Sequence, residues 1–252
     1  MLSRIAVRLA TIGAIKGRTL VGDNVLDSQI GVLDVDGAGA LRTEAKKPFI
    51  AVYVDSSEAS DQAGGRSLHR AGLTELVIEY GIATTMAELN QETGETVLGG
   101  IGIPATDAAM EFYLDSVGRQ IANGLSDPDN AWAEIWRGLS NRVVRVDRRR
   151  ASDAEGVRIA AQQMVLTLDL LSDPVFGEEI ADTSIWARLL AAMQEENHPY
   201  LASINALLGS GAEGADQGTR RRYGLTLEEL TAMLAGEMSP GATIQSVTTS
   251  GA

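Results

Sequence analysis

Two histidines, no cysteine and a few short motifs bound the chemistry open to this 252-residue chain. His69 and His198 each lie in or beside a break in structure, and neither has another ligand at metal-binding spacing. Without cysteine there is no thiolate metal site, no cysteine nucleophile and no disulfide, and without a third imidazole nothing favours zinc. A serine nucleophile would need one of the two histidines as its base, and the elbow pattern G-x-S-x-G does not occur. Surface or capping roles account for both rings.

Gly100-x-Gly102-x-x-Ala105 is a variant of the dinucleotide fingerprint, set between a short apolar pair and a helix start. The acid expected about 20 residues further on, at the end of a second parallel strand, is missing. A loop closing onto a helix is the simpler account. Residues 34–39, DVDGAG, open like a calcium loop but lack the later acids and the final glutamate, so a plain turn fits better. Glu75 and Glu79 share one strand face, as a paired-carboxylate site would require. No apolar pocket is evident around them, and an exposed sheet face explains them. Arg148, Arg149 and Arg150 form one basic run and Arg220, Arg221 and Arg222 another. Each is a solvated turn or a patch for an acidic partner or backbone phosphate. No aromatic residues interleave with them as a stacking platform would need.

The elements that must carry these residues are set by composition and periodicity. Hydrophobic content of 44% and charged content of 22% allow a substantial core, and with 4% aromatics aliphatic residues and alanine must fill it. The apolar runs fall far short of a membrane span. A net charge of −13 repels nucleic acid and anionic membrane on average and suits a basic partner surface. The first 17 residues hold Arg4, Arg8 and Lys16 and no acid, as transit peptides do, but they also suit a structural helix. Leu2, Ile5, Leu9 and Ile12 form its apolar face, with Arg4, Arg8 and Thr11 opposite and Gly17 as its stop.

Residues 49–55 and 73–83 read as strands, the second half-buried with a wet glutamate face. Residues 90–97 read as a turn or hairpin insertion. A helix capped by Thr106 or Asp107 carries Met110, Tyr113, Leu114, Val117 and Ile121 and ends at Asn123-Gly124. Asp127-Pro128 opens another, with Trp132, Ile135, Trp136 and Leu139 inside. Residues 142–150 read as a strand running out into a basic turn. Residues 156–174 suit helix or strand, and alternation over 164–171 favours strand. Thr183 caps a helix through Met193 that His198-Pro199 breaks, and a short helix through Ile204 and Leu207 follows. Residues 209–224 read as a flexible linker. Thr226 and Glu229 form a capping box for a small helix that ends at Gly236, before a polar tail.

The order of these pieces carries a resemblance. The chain has an amphipathic helix, then Gly22-Asp23-Asn24-Val25-Leu26-Asp27-Ser28-Gln29-Ile30. A loop and the step Lys47-Pro48 lead into an edge-type strand, Phe49-Ile50-Ala51-Val52-Tyr53. It resembles the tail terminator (tail completion) proteins of long-tailed bacteriophages over about residues 1–172. Their pattern V-x-D-S-R-x-x-P…P-x-I-x-V-Y is similar, with Gln29 where the consensus has arginine and Val32 where it has the first proline. The resemblance implies an α+β fold, a mainly antiparallel sheet flanked by helices, in residues 1–174. Residues 175–252 are then a C-terminal helical extension with no counterpart in the shorter members.

It further implies a homo-oligomer of six copies, a ring that caps the tail tube and joins it to the head connector or stopper protein. The sheath protein is a further candidate partner. Genomic DNA passes through the lumen without specific binding, and no membrane, cofactor, metal or catalysis is involved. The ring would be assembled in the host cytoplasm and found at the tail–neck junction of the virion. The segment after the first helix is then an arm at a subunit boundary, which makes Asp23, Val25, Asp27, Ser28 and Ile30 interface candidates beside Arg148, Arg149 and Arg150. The alternatives are another neck or head-closure component, or a small nucleotide-binding enzyme built on the Gly100–Ala105 loop.

Overall fold

Alanines, more than large aliphatic residues, decide how the first helix packs. In the computed structural model, which describes residues 1–28, 47–59, 70–89, 96–152 and 158–209, helix α1 spans Leu2–Ile15. Its buried face is Ala6, Val7, Leu9, Ala10, Ala14 and Ile15. Ile5 and Ile12, expected inside, are only half-buried, and Thr11, expected outside, is fully buried. The Thr11 hydroxyl donates to the Val7 carbonyl at 2.7 Å, which removes the cost of burying it. A face of small side chains lets a neighbouring helix approach closely: a Cβ on Gly13 would lie 2.5 Å from the Trp132 ring. The amino end of α1 is capped from the far end of the fold. Asp173 accepts from the Leu2 and Ser3 amides at 2.9 and 2.8 Å. Burial pushes the Asp173 carboxyl up, but hydrogen bonds from the Met1 ammonium, the Ser3 amide and hydroxyl and the Leu2 amide outweigh it and hold it below its ordinary value.

The fold is α+β. Five strands form one mixed sheet in the order β1 (Val25–Asp27), β2 (Pro48–Glu58), β3 (Gly72–Ile82), β7 (Arg158–Leu170), β6 (Ser140–Ser152). Only β1 to β2 is parallel; the other pairings are antiparallel. Strand β2 is therefore not the edge at Ile50–Val52, because β1 covers it there. A second, two-stranded antiparallel sheet pairs β4 (Thr84–Leu89) with β5 (Thr96–Gly102), flanking residues 90–95 of the expected turn or hairpin insertion, which lie outside the described residues.

One face of the large sheet carries Ile50, Val52, Leu76, Ile78, Tyr80, Met164, Leu166 and Leu168, all buried. Helices α1 and α2 (Ala108–Ser126) pack on the sheet. The other face holds two apolar groups. Phe49, Ala51 and Ala83 pack with Leu26 and Ile103, and Tyr53 packs with Val77 and Val165. Strand β3 thus lacks the wet face its alternation predicts: Glu79 is only 5% exposed. The middle strand of a five-stranded sheet is covered from both sides.

Helix α2 is capped by Asp107, which accepts from the Met110 amide at 2.8 Å. It runs past Asn123-Gly124 to Ser126. Gly124 is a contact, not a stop, since a Cβ there would sit 3.1 Å from the Ala14 carbonyl of α1. Helix α3 (Ala131–Gly138) starts later than Asp127-Pro128 suggests, because buried Asn130 is its cap. Asn130 accepts from the Trp132 and Ala133 amides and donates to the Ala14 carbonyl at 2.9 Å. Trp132, Ile135, Trp136 and Leu139 are buried as expected.

The chain divides into two compact units, Met1–Asp173 with Ala181–His198, and Pro174–Ile180 with Pro199–Ala252. Helix α4 (Ile185–Glu195) belongs to the first unit and is capped by Ser184 instead of Thr183. In the second unit, α5 (Leu201–Leu208) buries Ile204 and Leu208 while Leu207 is exposed, and the Gly177 amide donates to the Leu208 carbonyl at 2.8 Å. The expected linker beyond residue 209, the capping-box helix and the polar tail lie outside the described residues. Among the described residues, no helix is long and apolar enough to cross a membrane.

Candidate functional site

The arm after α1 is built by glycine turns and a short strand. Gly17 and Gly22 take left-handed conformations, with φ of 70° and 68°, and the Gly17 amide donates to the Gly22 carbonyl at 3.1 Å. Asn24 then anchors the chain: its side-chain amide donates to the Pro48 carbonyl at 2.7 Å and its carbonyl accepts from Ile50. Val25, Leu26 and Asp27 pair with Ile50, Ala51 and Val52. Leu26 joins the Phe49 group, and Asp27 meets the Arg8 guanidinium of α1 at 2.6 Å.

Of the arm's interface candidates, Asp23 and Ser28 are exposed, Val25 and Asp27 are half-buried within their own chain, and Ile30 lies outside the described residues. Ser28 holds a left-handed φ of 54°, and its amide donates to the Val52 carbonyl at 2.9 Å. The arm is thus a parallel edge strand fastened by its own protomer up to Ser28.

Arg148, Arg149 and Arg150 do not form a turn. They lie inside β6, opposite Met164, Gln163 and Gln162 of β7. The strand extends to Ser152 because the β7 ladder continues past them. The arginines of β6 divide by their partners. Arg142 pairs with Asp169 at 3.6 Å, Arg145 with Asp147 at 2.7 Å and Arg150 with Glu111 of α2 at 2.5 Å. Arg148 and Arg149 form no ion pair among the described residues. Val143, Val144 and Val146 stand between the arginines at 41–45% exposure, and Phe112 of α2 is 77% exposed. Sequence reasoning missed this apolar content. The available signal was three valines in a segment with no alternating polar face.

Arg148 and Phe112 border an open cleft with Tyr80, Asp115, Arg119 and Gln162. The Tyr80 hydroxyl donates to Gln162 Oε1 at 3.0 Å, and Gln162 Nε2 donates to Asp115 at 2.9 Å. Burial, with Asp115 adding to it and Arg148 opposing, pushes the Tyr80 phenol up to about 12. A Cβ on Gly118 would come within 2.6 Å of that hydroxyl, so the glycine is what admits the ring under α2. This chain of groups fixes the helix on the sheet. It holds no nucleophile beside a base.

On the opposite face, the Tyr53 hydroxyl and Gln163 Nε2 both donate to Glu79 Oε1, at 2.7 and 2.9 Å. Burial and the neighbouring Glu79 raise the Tyr53 pKa far above its ordinary value. Glu75 instead accepts from Ser56 at 3.1 Å near the surface. Four residues of strand put the Cα atoms of Glu75 and Glu79 roughly 13 Å apart. That exceeds the span across which paired carboxylates share one reacting bond.

The remaining motifs separate in space. His198 stacks obliquely on Trp132 with ring centroids 6.4 Å apart, and burial lowers its pKa. His69, the DVDGAG segment and Arg220–Arg222 lie outside the described residues. Among those described, no group of three His, Asp or Glu side chains is placed to hold a metal ion. Gly100 and Gly102 lie on β5, whose partner β4 is antiparallel. The dinucleotide fingerprint requires a parallel strand feeding the helix, so its structural setting is missing here. No protein-family model matches this sequence, and neither does any curated protein.

Proposed function

We propose that this chain is a structural protein of the terminator type, forming a ring that caps the tail tube of a long-tailed phage and meets the head connector. The observation that carries the reading is the order and pairing of its elements. A helix, a short arm, two long antiparallel strands, then helices and a closing strand pair follow one another, which supports the resemblance, although the β4–β5 pair and the second helix are additions to the order it implies. The arm's fastening supports it, because a segment held in register by β2 presents Asp23 and Ser28 at a fixed place on the sheet edge. The acidic balance is compatible with a passage for DNA, since a negative wall does not retain the polymer. The groups with the strongest polar engagement, Tyr80–Gln162–Asp115 and Tyr53–Glu79–Gln163, tie elements together and support a scaffold role.

The test is a tube-capping assay. A long-tailed phage tube protein is polymerised with and without the chain, and tubes are measured by electron microscopy. Sub-stoichiometric chain is expected to shorten the tubes and leave one ring at one end of each. Tubes of unchanged length with bare ends would sink the proposal, and rings seen on the connector alone would identify a head-closure component instead.

A further inference from the structure

The large sheet ends in two unlike edges. At one end β6 is exposed along nearly its whole 13-residue length. Among the described residues no strand pairs with its outer side. An edge of that length with Val143, Val144 and Val146 exposed is a template for another strand. Its unpaired charges, Arg148 and Arg149, are positive. At the other end β1 covers β2 only from Ile50 to Val52, and Ser28 reaches the Val52 carbonyl. Beyond that point Asp55, Ser56, Ser57 and Glu58 are exposed, and their outer side pairs with no described strand. A bulge between Val54 and Ser56 leaves Asp55 out of the β3 ladder. Asp55 and Glu58 form no ion pair among the described residues.

We propose that the β6 edge of one copy docks on the Asp55–Glu58 edge of the next, so that sheets join head to tail. Three observations select a second copy of this chain as the occupant. Opposite unpaired charges stand on the two edges, Arg148 and Arg149 against Asp55 and Glu58, so the contact is complementary in one sense only. Pairing of β6 with another β6 would set two strands, each with five arginines and one aspartate, side by side, which disfavours a symmetric dimer. Both open edges belong to this one sheet, so every copy offers the complement of its own β6 edge, a local attraction set against the repulsion between copies of net charge −13. A contact between two different edges is heterologous and closes into a ring when the rotation between copies allows it. The inference rests on the ring reading above and supplies its subunit contact, with the arm beside the junction.

Association is measured by light scattering at low and high salt, with circular dichroism as the folding control. The wild type is expected to self-associate and to lose association as salt rises. The pair Arg148→Glu and Arg149→Glu, and separately Asp55→Lys and Glu58→Lys, are each expected to weaken association at least tenfold. Combining all four is expected to restore it. The absence of native cysteine permits a second measurement. Asp55→Cys protein mixed with Arg149→Cys protein should form mixed disulfide dimers in preference to either homodimer. Unchanged association in both reversed variants, failure of the fourfold variant to recover, a strictly monomeric wild type, or homodimers alone in the mixture each overturn the edge contact. Tube capping is read separately: a chain that caps tubes while the reversals have no effect keeps the terminator role and loses this interface.

Discussion

Strands β3 and β6 flank the same strand, β7, one on each side, and meet opposite fates. From Leu76 to Gly81 every residue of β3 is buried, including Glu79. Along β6, Asn141 to Val146 and Arg148 to Arg150 are all exposed. Both contain valine or isoleucine among charged residues, and both complete a long antiparallel ladder with β7. The difference is position. Strand β3 has a neighbour on each side, helices on one face and the Tyr53–Val77–Val165 group on the other. Among the described residues, strand β6 has one neighbour and little over either face. Backbone pairing therefore does not by itself bury side chains; layers on the faces do.

That contrast can be broken first at its buried end. Ile78→Ala removes a fully buried side chain from β3 and is expected to cost about 2–5 kcal/mol in denaturant unfolding. A loss below about 1 kcal/mol would mean that the helix layer does not press on the centre of the sheet.

Alkali gives the next largest effect. The folded state holds the Tyr80 phenol at about 12 against an ordinary value of 10.0. Its folded pKa is raised, so this contribution is full below pH 10 and is lost as pH rises towards 12, at most about 2 to 3 kcal/mol in all. Tyr80→Phe is expected to be less stable at neutral pH and to show a shallower loss between pH 10 and 12. Equal slopes in the two proteins would remove the buried Tyr80–Gln162–Asp115 chain from the account.

The smallest effect belongs to β6. Val146→Ala, at 41% exposure, is expected to change stability by less than about 0.5 kcal/mol. A cost as large as that at Ile78 would show that β6 is covered in the folded protomer and would weaken the case for an open edge.

Much of the fold was legible because it follows local rules. The Trp132–Leu139 stripe, the Asp107 cap and the alternation over 164–171 each signal their element through neighbours three, four or two residues apart. What was misread depends on distant partners. Gly124 looks like a helix stop until the Ala14 carbonyl stands beside it. Asn130 takes the capping role from the Asp127-Pro128 step because it also reaches across to α1. Thr11 is buried because the alanines around it, weak as hydrophobic signals, form the contact face. Arg148–Arg150 resemble a basic turn until β7 offers them a ladder. The arm reads as a segment leading into the sheet, but it is itself a strand of it, because its parallel pairing with β2 and the Asp27–Arg8 pair are long-range events.

The sequence by itself determined the α+β class, the five helices and strands β2, β3, β6 and β7, the acidic balance and the scarcity of histidine and thiol, since each depends on composition or on spacing within one element. Tertiary structure alone decided which charges are buried, which glycines are contacts, and which edges of the sheet are left open. Those outcomes depend on what comes to lie beside a residue, and no single segment encodes its neighbours.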